Sequence, residues 1–374
     1  VQRAVCDVGK FAAVSIGAMV FVYGVTLPQY SHAQQTEIRF YGHQNVGLYD
    51  LTPTSPLGRS SAFTIGEQDL FINSQINDRI SFLGETVVKP TLNGSFSPSI
   101  ERARIKFDYH PRHAIIVGKM HTPVNYWNDV YHHGRLFYPT IDRPDFFDLV
   151  VPIHTLGIRF QGQNLGKLKF GYDVLVGNGI SSTDVSDMSQ QKSLTIAGHI
   201  RPKRHMRIGA SFYHDVLEGN RAGSHSGHST GLHPEAMRYQ GNVEYNMFSF
   251  SFASFGERNE VLIEAALNFS RTDSLGRAEN TLGFMYLGRR ITEKKVLYSI
   301  VDYTHIGPED LHIVPQHLIK FGLGIKHEFS PLVVLKIELD RSTTVKMAHG
   351  HSTPNHHSSI PNQNNLVVQI AYGF

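Results

Sequence analysis

From residue 34 onward, large apolar side chains recur at every second position. Near the end, Leu366, Val368, Ile370, Tyr372 and Phe374 alternate with Val367, Gln369, Ala371 and Gly373. A period of two puts successive side chains on opposite faces of an extended strand. The stripe recurs in Ile319, Phe321, Leu323 and Ile325, in Val333, Leu335, Ile337 and Leu339, and in Ile263, Ala265, Leu267 and Phe269. It is found again in Ile208, Ala210 and Phe212, from Leu168 to Val176, from Leu156 to Phe160, from Ala103 to Tyr109, and at Ile38 and Phe40. Where charges occur, they keep to the alternate face, as Lys336, Glu338 and Asp340 do.

The connections set the topology. Short ones fall at 77–79, 110–112, 163–166, 201–204, 256–259, 292–295 and 330–331. Longer, polar ones fall between them at 49–67, 91–100, 122–153, 178–191, 218–236, 271–280, 307–316 and 345–364. Regular alternation of short turns and long loops predicts an all-β, antiparallel transmembrane β-barrel of about 16 strands, with short periplasmic turns and long outer loops. Residues 238–255 read as one strand with a bulge near Asn246, where the apolar phase slips. At roughly ten residues per tilted strand, about 160 residues span the membrane, leaving no room for a plug domain.

The first 33 residues follow another pattern. Arg3 and Lys10 precede an apolar run from Phe11 to Leu27, then Pro28, then Ser31-His32-Ala33. This predicts a signal peptide over 1–33, cut before Gln34, with the barrel over 34–374. The single cysteine, Cys6, precedes the apolar run, so thiolate metal sites and thiol catalysis are excluded from the rest of the chain. Thirty-five basic side chains against 32 acidic ones give no strongly basic field, so no nucleic acid is expected as a partner.

The unusual segment is 122–153, the third long connection, which holds the only tryptophan, Trp127, among several aromatics and prolines. A connection this long is functional or disordered, and its aromatic content argues against disorder. As the third outer loop in this count it is expected, by its likeness in position to the pore-narrowing loop of general porins, to fold into the barrel and contribute Asp129, Arg135, Asp142 and Arg143 to a constriction, the alternative being a folded cap outside the barrel. If Ala103, Ile105 and Phe107 face lipid, Arg102, Arg104 and Lys106 face the lumen. By the same parity Lys119, Arg159 and Lys169 do so too. Asp129, Asp142, Asp145 and Asp148 are the expected opposing charges. Six dry, unpaired cations would be prohibitive, whereas a water-filled lumen keeps them solvated.

Of the 22 histidines, His225, His228 and His233 share one loop and His349, His351, His356 and His357 another. Imidazole clusters can hold Zn²⁺ or Cu²⁺, but Ser/Gly-rich surroundings do not fix four ligands, so these are weak metal candidates. No metal or other cofactor is expected. Ser226-Gly227-His228-Ser229 only superficially suggests a hydrolase, and no enzyme is predicted.

Glu101-Arg102-Ala103-Arg104, then Val117-Gly118-Lys119 and Thr122-Pro123, resembles the phosphate-selective porin-like group of outer-membrane proteins. Gly66 to Phe71 with Asp78 to Phe82 is similar to uncharacterised porin-like proteins, as are Tyr126-Trp127-Asn128, Tyr131-His132-His133-Gly134 and Asp142-Arg143-Pro144. The resemblance covers roughly 60–160. It implies a Gram-negative outer-membrane barrel for passive diffusion of small hydrophilic solutes or ions. The terminal Phe374 resembles the signal read by the barrel assembly machinery. Outer-membrane lipid and lipopolysaccharide are the expected surroundings, and a homotrimer is expected by analogy with general porins. The lysine-rich ladder of the phosphate channels is not recognisable, so phosphate selectivity is not implied. The alternative is a non-conducting barrel with a structural, adhesive or metal-binding role for its loops.

Overall fold

The structure is a computed structural model that describes residues 35–49, 60–91, 94–131, 134–180, 191–218, 241–273, 276–310, 313, 315–346 and 358–374. The expected signal peptide lies outside the described residues, as do His132, His133 and the seven histidines of the two candidate metal loops.

The described residues form β1 (Gln35–Tyr49), β2 (Ser60–Gln75), β3 (Ile80–Pro90), β4 (Phe96–His110), β5 (His113–His121), β6 (His154–Leu165), β7 (Phe170–Gly177) and β8 (Ser193–Ile200). Then follow β9 (Met206–Glu218), β10 (Asn242–Phe255), β11 (Asn259–Thr272), β12 (Gly276–Thr292), β13 (Lys295–Ile306), β14 (Gln316–Ser330), β15 (Val333–Lys346) and β16 (Ser358–Gly373). Each strand pairs antiparallel with its neighbours in sequence, and β16 pairs with β1 to close the barrel. At the seam Phe40 and Phe374 exchange backbone hydrogen bonds of 2.9 and 3.0 Å, and their rings stack 5.1 Å apart.

Closure satisfies the backbone inside lipid, and the outward face completes the condition. Val46, Leu70, Ile105, Val117, Ile158, Ile196, Phe250, Leu267, Leu297, Leu323, Leu339 and Ile370 are exposed around the outside, whereas Lys336, Glu338 and Asp340 are buried within. An exposed apolar band of this extent is tolerated only against lipid or protein. No helix among the described residues is long and apolar enough to cross a membrane; the strands do so.

Three details depart from the sequence pattern. β10 runs without a register shift, so the phase slip near Asn246 is not a bulge. Instead its inward residues change character: Val243, Tyr245 and Met247 are buried in an apolar cluster, while the Ser249 and Ser251 end stays polar. The expected long connection at 271–280 is a tight one between Thr272 and Gly276. β2 begins at Ser60 and β16 at Ser358, well inside the expected loops.

Candidate functional site

Segment 122–153 carries α1 (Asn125–Val130), a 3-10 turn at Arg135–Phe137 and α2 (Asp145–Leu149). Its neck is tied locally. Asn128 Nδ2 donates to the Thr122 carbonyl (2.9 Å), the Thr122 hydroxyl (3.0 Å) and the Ile153 carbonyl (3.1 Å), joining the two ends of the segment. His121 Nδ1 donates to the Asn128 carbonyl at 3.0 Å.

The body of the segment is fastened to inward side chains of distant strands. Glu264 on β11 accepts the Trp127 backbone N–H at 2.8 Å, and Asp302 on β13 accepts that of Asp145 at 2.6 Å. The Tyr245 hydroxyl on β10 donates to the Val150 carbonyl at 2.6 Å. Lys336 on β15 donates to the Arg135 and Thr140 carbonyls at 2.5 and 2.8 Å. Between these polar anchors lies an apolar core. Trp127 is edge-on to Tyr138 (5.1 Å) and Phe284 (5.6 Å), and Phe146, Phe147, Val150 and Val151 pack with Leu262, Leu282, Tyr286 and Ile300. The inward face of β10 to β13 is therefore the dry seat of the segment.

The opposite side is basic. A cavity of about 360 Å³ is bounded by Leu83 on β3, Arg102, Arg104 and Lys106 on β4, Met120 and His121 on β5, Arg159, Gln161 and Gln163 on β6, Arg201 after β8, Arg207 on β9, and Asp129 and Val130 of α1. β4 has exposed Ala103, Ile105 and Phe107 outside and Arg104 and Lys106 inside. A register shift opposite Glu85 and Thr86 lets the adjacent Glu101 and Arg102 both be buried. Arg102 Nε donates to Glu85 Oε2 at 2.6 Å, and Lys106 Nζ lies 2.7 Å from Asp108. Arg159 donates to Asp173 at 2.7 Å and to Asp129 at 3.2 Å, and Arg207 pairs with the other Asp129 oxygen. Burial pushes the Asp129 carboxyl up, but the Arg207 and Arg159 guanidiniums outweigh it and hold it below the ordinary aspartate range.

Among the described residues Arg104 and Arg201 have no carboxylate partner. Six cations line the cavity against Asp129 and three carboxylates paired to its wall, Glu85, Asp108 and Asp173. The excess is two positive charges. Beside Arg104, register places Gly118 and then Gly157, so its own row carries no side chain on that flank. Gly118 has φ +126°, and a Cβ there would meet the Ala103 carbonyl at 2.2 Å, which favours glycine.

Other expected constriction residues lie elsewhere. Lys119 pairs in register with Ala103 and Leu156, whose side chains face outward, and its ammonium turns to the Ile100 carbonyl at 2.6 Å. Lys169 sits in the turn before β7, exposed, with φ +51°; the strand starts one residue later, so inward parity does not apply. Arg135 and Asp142 approach each other at 3.4 Å near Glu67 of β2, with the Arg135 guanidinium over the Tyr138 ring, and Arg143 is buried in the segment. Asp145 takes Lys320 at 2.7 Å on the anchored side, and the Asp148 side chain lies outside the described residues. Of the three loop carboxylates among the described residues, Asp129 is the one that lines the basic cavity. Sequence parity missed Arg201, in a turn, and Arg207, whose strand shows its stripe only from Ile208.

No protein-family model matches the chain, and no curated protein is similar to it at a significant level. Solved structures do match. An anion-selective porin from Comamonas acidovorans superposes with a TM-score of 0.63 at 9% identity, over 91% of this chain and 100% of that one. OmpT, an outer-membrane protein of Vibrio cholerae, gives 0.60 at 11% identity over 92% and 99%. The outer-membrane channel DcaP of Acinetobacter baumannii gives 0.59 at 9% over 91% and 97%. The closed ring of 16 strands and the apolar outer band are thus a fold that the chain shares with porins and channels of the bacterial outer membrane.

Proposed function

We propose that the chain is a passive channel for small hydrophilic solutes that favours anions at its narrowest part, and that it is not an enzyme. The observation that carries this reading is the excess of positive charge at a cavity bounded on one side by the inserted segment. Arg104 and Arg201 face it without carboxylate partners among the described residues. Charges beside low-dielectric walls are screened less than on an open surface, so two unmatched guanidiniums bias the ions that pass. A barrel of this strand number has an interior wide enough for an aqueous path. The similar fold of a porin described as anion-selective accords with the reading.

In this reading segment 122–153 narrows the passage, residues 1–33 are an export signal, and the short turns face the periplasm. A trimer form of Vibrio cholerae OmpT is among the similar structures, which supports a homotrimer; surroundings of lipid and lipopolysaccharide and insertion by the barrel assembly machinery are part of the same proposal.

The test is single-channel current across a planar bilayer in a KCl gradient. The expected reversal potential favours Cl⁻, and R104Q with R201Q moves it toward K⁺. Absence of stepwise conductance would establish the second reading, a closed barrel, which the apolar packing over β10 to β13 favours.

A further inference from the structure

The basic cavity is not uniformly polar. Leu83 lies directly across from Arg104 in the β3–β4 register and is half-buried, and Val130 closes the cavity from the segment side, also half-buried. Met120, which also lines the cavity, belongs to a buried apolar cluster with Ile116 and Leu175. These apolar groups do nothing for a hydrated inorganic ion. The cavity's volume of about 360 Å³ falls within the range of small-molecule sites, roughly 300–1,000 Å³, and those sites combine apolar walls with a few convergent polar groups.

Charge and apolar surface therefore occur together, and each is accounted for by one ligand chemistry. Arg102, Lys106, Arg159 and Arg207 are engaged by Glu85, Asp108, Asp173 and Asp129, leaving Arg104 and Arg201 as donors to an incoming anion. A guanidinium matches a carboxylate in geometry and charge. Leu83 and Val130 then offer the same ligand a surface on which to bury hydrocarbon.

We propose that this cavity is a binding station for small organic carboxylates with an apolar body, and that it holds them longer than acetate or chloride. The proposal rests on the reading of the site as an anion passage and adds the class of solute.

The experiment compares potassium benzoate with potassium acetate, each added to a KCl bath while current through single wild-type channels is recorded. Benzoate is expected to interrupt the current at concentrations at least tenfold below those at which acetate does, since burying one apolar side chain's worth of surface is worth about a factor of ten or more. R201Q, at an exposed turn where folding is not burdened, weakens both. L83S weakens the benzoate effect more than the acetate effect. Equal action of benzoate and acetate on a conducting, anion-preferring channel would overturn the proposal and leave the channel reading intact. If no current is seen, the channel reading fails, and titration calorimetry of benzoate into the detergent-solubilised full chain decides the site alone. Heat of binding that R201Q reduces upholds it, and no binding removes it.

Discussion

The Glu264 side chain, on the inner wall of β11, accepts the backbone N–H of Trp127 on a carboxyl oxygen at 2.8 Å, 137 residues away in sequence. The bond holds α1 against the wall at the point where the single tryptophan enters the apolar core. E264A removes the acceptor and leaves a buried donor unsatisfied, at a cost of about 1–3 kcal/mol. The expected outcome is a second, larger conductance level as the segment leaves its seat. E264Q keeps an acceptor oxygen at the same reach and is expected to retain the single wild-type level. One unchanged level in both variants would mean that the remaining anchors and the apolar packing secure the segment without this bond.

Asp129 neutralises two guanidiniums, so its removal should strengthen the anion preference. D129N is expected to shift the reversal potential in a KCl gradient toward Cl⁻, opposite in sign to R104Q. Its carboxyl sits below the ordinary aspartate range, so the stabilisation is complete above the unfolded value near 4 and is lost only as pH falls through the lower folded value. Wild-type selectivity should therefore stay flat from pH 7 to about pH 4 as far as Asp129 governs it. A change centred at an ordinary carboxylate pKa would point to a different group.

Orientation can be tested with peptide tags. An insertion at 225–230, between β9 and β10, should be labelled on intact cells. One in the turn Gly256–Asn259, at the other end of β10, should be labelled only after the outer membrane is opened. The reverse pattern would place the short turns outside.

The histidine loops give a control. Replacing His349, His351, His356 and His357 together is expected to leave conductance and heat-modifiable mobility as in wild type, because substitutions in a polar Ser/Gly-rich stretch ordinarily change stability little. Loss of Zn²⁺- or Cu²⁺-dependent uptake in that variant would establish a metal role for the loop.

How much of this was written in the sequence differs between the two faces of the wall. Lipid demands apolar side chains at every second position, so the stripes of β11, β14, β15 and β16 could be read directly. So could the parity that turns Arg104, Lys106 and Arg159 inward. The inner face obeys no such rule. Val243, Tyr245 and Met247 are apolar because segment 122–153 covers them, and a period-two reading takes that for a bulge. Local geometry hid the rest. The shift at Glu101–Arg102, the positive φ of Lys169 and the turn position of Arg201 each break the alternation by which a lysine or arginine is assigned a side. The partners of the loop carboxylates were not legible, because Asp145 and Lys320 are 175 residues apart and only the closed barrel brings them together.

That distance along the chain has a consequence for biogenesis. The anchors of segment 122–153 on strands β10 to β16 join residues separated by 95 to 228 positions, the longest of these bonds reaching back from Lys336 on β15 and Gln369 on β16. Contacts so distant in sequence form only after the intervening chain has been ordered. A barrel still acquiring its last strands therefore lacks part of the seat. The segment can be fully secured only once β16 is in place, so, on the proposal that it narrows the passage, a chain arrested before that point would leave a wider opening than the finished protein. On the same proposal the late strands complete the barrier, and truncations near the C-terminus are expected to be more harmful than complete absence of the protein.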